Sequence, residues 1–231
     1  MLFDFPKVRI DSIKDFAKHY LMIVLSILTA LGLEAWIERA HHQRAAATAS
    51  SQIEAEIRTN LGEAHTDLQR DVAQLRRLDT IRDAVIRDLK AHVPDDVIKQ
   101  HILTQTKDHF DLNLNFPTLR HEAWDVVVAD QSASWIDQDR MQRYSAAYAS
   151  QRDITTSMSE NTALLMNGTG LVDTIADLGT DEAQPREFLH VISQMTAMLG
   201  QTVNSLRLLE KQLDAALPDK TSNITKPVPA A

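Results

Sequence analysis

The chain has 231 residues, 44% of them hydrophobic, a size that suits one sizeable folded domain plus an anchor. Only 6 Gly and 7 Pro, together with few aromatic residues, indicate a mostly helical protein. The net charge of −8 argues against binding nucleic acid through the fold as a whole. The absence of cysteine excludes disulfides, thiolate catalysis and cysteine-based metal sites.

The first predicted element is a largely apolar run over residues 20–37, YLMIVLSILTALGLEAWI. A helix over this run is about 27 Å long, close to a hydrocarbon layer of about 30 Å. Tyr20 and Trp36 bracket the run, as aromatic residues do at the two membrane interfaces. A signal peptide or a buried core helix are the alternatives. Leu28 and Leu33 stand where a cleavage motif needs small residues, and apolar residues occur all round the helix, so we favour a transmembrane helix.

The predicted orientation depends on the basic residues that flank the run. More of them lie in residues 1–19, which we expect to form a cytoplasmic amphipathic leader, than in the twenty residues after the run. The two sets are Lys7, Arg9, Lys14 and Lys18 before it, and Arg39 and Arg44 after it. This bias predicts a single-pass protein with its N-terminus in the cytoplasm and its C-terminal domain on the other side of the membrane.

Within the predicted span, Ser26, Ala30 and Glu34 are four residues apart and share one helical face. Small residues let helices approach closely, and an ionisable group in a span usually faces protein. Glu34 alternatively lies at the headgroup level without a protein partner. The sharper hypothesis is a transmembrane helix contact through this stripe, with a second copy or with another membrane protein.

A long amphipathic helix is predicted over residues 44–92, continuing outward from the span as one rod. Its apolar residues recur at steps of three or four. Asp71 stands where a strict heptad needs an apolar residue, so we expect the stripe to slip to Val72. Pro94 is expected to end this helix or to start the next.

The middle of the chain is less regular. Residues 111–117 (DLNLNFP) indicate an extended connector, followed by a short helix over residues 119–129. Ser134 or Asp137 is a candidate cap for a helix that runs to about residue 166. The NGTG sequence at 167–170 then breaks the chain before a short apolar segment over 171–178.

The last predicted helix carries the clearest pattern, a 4–3 repeat that places its apolar residues on one seam. The helix 44–92 is the natural partner, which predicts an all-α antiparallel helical bundle over 38–217 with a disordered tail over 218–231. A dimeric coiled coil is the alternative. The seam comprises Phe188, Ile192, Met195, Leu199, Thr202, Leu206, Leu209, Leu213 and Ala216.

One cluster of side chains is a candidate metal site. It consists of Glu34, Glu38, His41 and His42, which share one helical face at the end of the predicted span. Carboxylate and imidazole groups bind zinc, but one helix alone rarely closes a metal site. We therefore interpret the cluster as a solvated face and expect no cofactor or metal.

Aromatic residues concentrate in the middle of the chain, at Trp124, Trp135, Tyr144 and Tyr148. Such a cluster can line a ligand pocket between helices, but it more commonly forms the core of a bundle. We expect the core.

Two stretches, HYLMIVLSILTALGLEAWIE and HEAWDVVVADQSASWIDQDRMQRYSAAY, resemble a group of bacterial single-pass inner-membrane proteins. In that group a Trp-containing helix, a small-residue turn, an acidic cap and a Tyr-containing helix follow in this order. The matching positions are Trp124, residues 132–134, Asp137, and Tyr144 or Tyr148. The resemblance implies a short leader, one span and a helical extracytoplasmic region, and it implies no activity.

These observations predict a non-enzymatic, membrane-anchored helical scaffold or accessory subunit. Its expected partners are the lipid bilayer and another membrane or envelope protein, or a second copy of the chain. The alternative is a periplasmic bundle that senses a small ligand between its helices and acts through a partner, since the leader is too short for an output domain. The third hypothesis is a hydrolase or metal enzyme that uses Glu34, Glu38, His41 and His42.

Overall fold

The computed structural model describes residues 13–106, 116–166 and 169–218, and in these ranges all regular structure is helical. The expected all-α class is confirmed. The elements are α1 (Ile13–Lys90), α2 (Asp95–Thr106), α3 (Glu122–Ala129), a 3-10 helix (Ser132–Trp135), α4 (Gln138–Met166), α5 (Thr169–Gly179) and α6 (Pro185–Ala216).

Helix α1 is a single helix of 78 residues, about 117 Å long at about 1.5 Å per residue. The predicted span and the predicted long helix are therefore parts of one rod. The helix ends where His92 adopts a left-handed backbone with φ of 55°. The Val93 N–H then donates to the Asp88 carbonyl at 3.1 Å, which satisfies an end carbonyl. Pro94 directly precedes α2.

Helices α4 and α6 pack against the distal part of α1 in opposite directions. Helix α6 is antiparallel to α1, because its C-terminal residues share an apolar cluster with Ile53 and Ile57 while its N-terminal residues cluster with Val85. Helix α4 runs parallel to α1, since Tyr144 pairs with Glu54 and Gln151 pairs with Asn60. Together they form a three-helix core.

The seam of α6 faces this core, and all nine of its residues are buried: Phe188, Ile192, Met195, Leu199, Thr202, Leu206, Leu209, Leu213 and Ala216. Leu206 and Leu209 are fully enclosed, whereas Leu208 between them is 53% exposed. The seam thus packs against helices of the same chain, as an antiparallel bundle requires.

The predicted slip of the α1 stripe from Asp71 to Val72 is wrong. Asp71 is 1% exposed and lies in the core, whereas Val72 is only partly buried. The strict heptad continues through this position and places polar residues inside the bundle at Asn60, Asp67 and Asp71. Asn60 lies within an apolar cluster around Ile53, and Asp67 and Asp71 lie between that cluster and a second one around Val85.

Several predicted breaks lie at the edges of the described ranges. Residues 1–12, 107–115, 167–168 and 219–231, which include most of the leader, connector and tail, lie outside them. Residues 13–19 of the predicted leader belong to α1.

Asp137 caps α4, because its Oδ1 accepts the N–H groups of Asp139 and Arg140, each at 3.2 Å.

Candidate membrane and partner-binding surfaces

The proximal part of α1 exposes a continuous apolar surface. An 18-residue window has a mean hydropathy of 1.9, and none of it is buried against the other residues that the structure describes. Among the described residues this is the one helix long and apolar enough, by length and composition, to cross a membrane. The side chains of Tyr20 and Trp36 are 63% and 67% exposed, and their positions are about 24 Å apart along the helix.

Ser26, Ala30 and Glu34 lie on this exposed part of α1, and no residue of the bundle covers them. The Ser26 hydroxyl donates to the Met22 carbonyl at 2.8 Å, so its hydrogen bond is made inside the helix. Thr29 makes the same bond to Leu25. The hydroxyls therefore add little polar surface, and Glu34 is the strongest polar group on the stripe.

The bundle meets α1 just beyond the apolar run, where Trp135 of the 3-10 helix stacks on His42. Their ring centroids are 3.4 Å apart and the rings are inclined by 10°. His41 remains exposed. In the predicted cluster, His42 is thus covered by Trp135, whereas Glu34, Glu38 and His41 are exposed. Among the described residues, no group of three or more His, Cys, Asp or Glu side chains is placed to hold a metal ion.

Two tyrosines of α4 bind two glutamates of α1. The Tyr144 hydroxyl donates to Glu54 Oε1 at 2.9 Å, and the Tyr148 hydroxyl donates to Glu56 Oε1 at 2.5 Å. Burial, reinforced by Glu54, raises the pKa of Tyr144 to about 12. Burial and Glu56 raise the pKa of Tyr148 further still. Both phenols thus stay protonated and serve as hydrogen-bond donors.

A buried amide network joins α1, α4 and the segment before α3. Asn60 donates to the Arg120 carbonyl at 2.7 Å and accepts the Arg120 N–H at 2.8 Å. It also donates to Gln151 Oε1 at 3.0 Å, and Gln151 donates to the same Arg120 carbonyl. Asn60 is fully buried and Gln151 is 4% exposed. Paired amides in a core fix one register of the helices, because any shift leaves them unsatisfied.

The acidic pair farther along α1 is not satisfied in this way. Asp67 accepts a bond from Arg70 at 3.1 Å, yet burial raises its pKa. Neither carboxylate oxygen of Asp71 has a hydrogen-bond partner among the described residues. Burial, and then the charge of Asp67, raise the pKa of Asp71 to about 6. Ionised, this pair weakens the middle of the bundle.

The predicted aromatic core is only partly formed. Tyr144 and Tyr148 are 1% exposed, and Trp124 packs on Tyr148 with ring centroids 5.0 Å apart, but Trp135 is 49% exposed. Trp124 and Tyr148 also line an open cleft of about 480 Å³ between α3 and α4. Arg152 and His121 lie at its edge, and the carboxylate of Asp125, 2.7 Å from His121 Nδ1, raises the pKa of that histidine.

The residues that the sequence did not single out are mostly polar: Asn60, Gln151, Asp67 and the two tyrosine-binding glutamates. For Asn60 and Asp67 the signal is the polar residue at a heptad core position, as at Asp71, whereas nothing in the sequence pattern points to Gln151, Glu54 or Glu56. No protein-family model matches this chain, no curated protein matches it, and no solved structure matches its fold. The resemblance to the bacterial single-pass group therefore stays a prediction.

Proposed function

We propose that this chain is a non-enzymatic, single-pass membrane protein whose helical bundle acts as a scaffold or accessory subunit for other membrane or envelope proteins. The observation that carries the proposal is the uncovered apolar segment of α1. Twelve large apolar side chains from Phe16 to Ile37 are each about half exposed or more. Full burial of such a side chain is worth roughly 1.5–3 kcal/mol, so covering the exposed half of each contributes roughly half of that, and a bilayer can cover them all.

In this proposal the N-terminus is cytoplasmic and the bundle is periplasmic, in a bacterial inner membrane. A C-terminal tag, carbonate extraction and protease treatment of intact spheroplasts test both points. A carbonate-resistant protein that loses its tag supports the proposed anchor and orientation. A protected tag contradicts the orientation, and release by carbonate contradicts the anchor.

The proposed partner contact is the stripe of Ser26, Ala30 and Glu34. Replacing Ala30 with Leu puts a bulky side chain on the stripe and is expected to weaken helix association. The matched control is Ala35→Leu, which adds the same bulk on another face of the helix. Affinity purification in mild detergent measures co-purifying membrane proteins and self-association. Equal recovery of partners with both variants, or a partnerless monomer from the wild type, contradicts this contact.

A second candidate function is the sensing of a small ligand, which the cleft beside Trp124 favours. Its volume of about 480 Å³ lies within the usual range for ligand sites, about 300–1,000 Å³. By contrast, the gap beside Leu78 between α1, α4 and α6 has about 20 Å³, enough for about one water. Arg152 at the cleft edge favours an anionic ligand with an apolar part.

Thermal-shift screening of the full chain tests this second function, because a ligand that binds only the folded state raises the melting temperature. A hit is specific to the cleft when Arg152→Ala removes the shift. The control is Arg207→Ala, an exposed arginine of α6 outside the cleft residues. A shift that both variants retain places the ligand elsewhere.

A further inference from the structure

The element that first packs on α1 beyond the apolar segment is the 3-10 helix Ser132–Trp135, hereafter the juxtamembrane turn. Its position along the α1 axis is set by the stack of Trp135 on His42. His42 lies five residues beyond Ile37, the end of the predicted span, or about 7.5 Å along the helix axis. The headgroup region on each side of a bilayer is about 5–8 Å thick. Trp135 therefore stands at the outer edge of the headgroups.

A tilt of α1 relative to the bilayer normal can bring Trp135 closer to the hydrocarbon layer. The indole lies up to about 9 Å from the helix axis, because its ring centroid is 3.4 Å from that of His42, a side chain within about 6 Å of the axis. Transmembrane helices tilt by about 20° on average, and a tilt toward the indole lowers it by about 3 Å. An ordinary tilt thus places Trp135 among the headgroups without any change in the bundle.

The juxtamembrane turn is built to hold Trp135 outward. Asp130 Oδ1 accepts both the N–H of Ser132 at 2.9 Å and its hydroxyl at 2.6 Å. The Ser134 hydroxyl donates to the Gln131 carbonyl at 2.7 Å. Ile136, the next residue, is buried in the core of the bundle. These hydrogen bonds and the burial of Ile136 hold the backbone of Trp135 in place. One face of its indole lies on His42, and the side chain is 49% exposed.

We propose that Trp135 is a second membrane-interface anchor, which seats the bundle on the headgroups of the bilayer that its own α1 crosses. This inference rests on the proposed membrane anchor. An indole has an apolar body and one N–H donor, and tryptophan is enriched at membrane interfaces for that reason. The carboxylates of Asp130 and Asp137 flank the turn, so the contact is with zwitterionic headgroups and does not depend on anionic lipid. Two contacts, at Trp36 and Trp135, fix the direction in which the bundle leans.

The chain has 3 Trp, so single-tryptophan variants of the full chain test this inference. Each variant keeps one of Trp36, Trp124 and Trp135 and has Phe at the other two positions. The variants are reconstituted singly in phosphatidylcholine nanodiscs that carry a fluorescence quencher on the headgroup or at the middle of the acyl chain. Circular dichroism verifies that each variant stays helical. Trp124 is the control, because it packs on Tyr148 in the bundle.

We expect the headgroup quencher to lower the emission of Trp135 clearly more than that of Trp124, with little loss from the acyl-chain quencher. Trp36 reports on the anchor itself. Quenching of Trp36 together with unquenched Trp135 overturns this inference and leaves the proposed anchor intact. Unquenched Trp36 overturns the anchor and the inference with it. Protection of Trp135 from aqueous iodide without headgroup quenching means that the chain itself covers the indole, which also overturns the lipid contact.

Discussion

The buried carboxyl of Asp71 gives the sharpest prediction about the stability of this bundle. Asp71 is 1% exposed, its oxygens have no hydrogen-bond partner among the described residues, and the nearby charge is that of Asp67. Replacing Asp71 with Asn keeps the shape of the side chain and removes its titration. The variant is therefore expected to be more stable than the wild type at neutral pH.

The size of the effect follows from the pKa. The folded-state pKa of Asp71 is about 6 and its ordinary value is 3.8, a difference of about 2.2 units. At about 1.4 kcal/mol per unit, ionised Asp71 lowers the free energy of unfolding by about 3 kcal/mol above pH 6. Because the folded state binds the proton more tightly, this cost disappears as the pH falls from about 6 to about 3.8.

Thermal unfolding of the full chain in detergent, followed by far-ultraviolet circular dichroism, measures the difference between wild type and Asp71→Asn. At a pH of about 7.5 the variant is expected to melt about 6–12 °C higher, since about 1 kcal/mol shifts a domain of this size by about 2–4 °C. At a pH of about 4 the two melting temperatures are expected to converge.

The control is Asp83→Asn, which removes a carboxylate of α1 that is 59% exposed. Its effect is expected to stay within about 0.5 kcal/mol at either pH. A difference between wild type and Asp71→Asn that is the same at both pH values refutes the reasoning. Lower stability of the variant at neutral pH also refutes it, because that result means the ionised carboxylate has a favourable partner.

Three further substitutions, the first with a matched control, test the packing and the buried hydrogen bonds. Leu206→Ala removes a fully buried seam residue and should cost about 2–5 kcal/mol in urea unfolding, whereas Leu208→Ala, 53% exposed, should cost about 0.5 kcal/mol or less. Asn60→Ala leaves the polar groups around it unpaired, and a loss below about 1 kcal/mol in the same assay would contradict their role in fixing the register. Tyr148→Phe removes the hydroxyl that donates to Glu56 and should lower the melting temperature by the equivalent of about 1.5–3 kcal/mol; an unchanged melting temperature would contradict a net contribution from that bond.

The buried polar residues Asn60, Asp67 and Asp71 show which properties of α1 the local sequence pattern predicts and which depend on the tertiary structure. The spacing of apolar residues predicts Val72, and not Asp71, as the core position, because ionised carboxylates are normally excluded from cores. The helix itself continues without a slip, and the facing helices enclose Asp71. Burial of a polar residue depends on its partners in the fold: Asn60 donates a hydrogen bond to Gln151, which lies 91 positions away in the sequence.

The sequence by itself determined the helical class, the long apolar segment, the seam of α6 and two candidate caps for α4, Ser134 and Asp137, of which the structure shows Asp137 to be the cap. Each depends on the periodicity, hydropathy or hydrogen-bonding capacity of residues close together in the chain. Only the tertiary structure decided that α4 runs parallel to α1, that Tyr148 reaches Glu56, and that Trp135 lies on His42. These contacts join residues far apart in sequence, and their geometry comes from the way three amphipathic helices share one core, which no local pattern encodes.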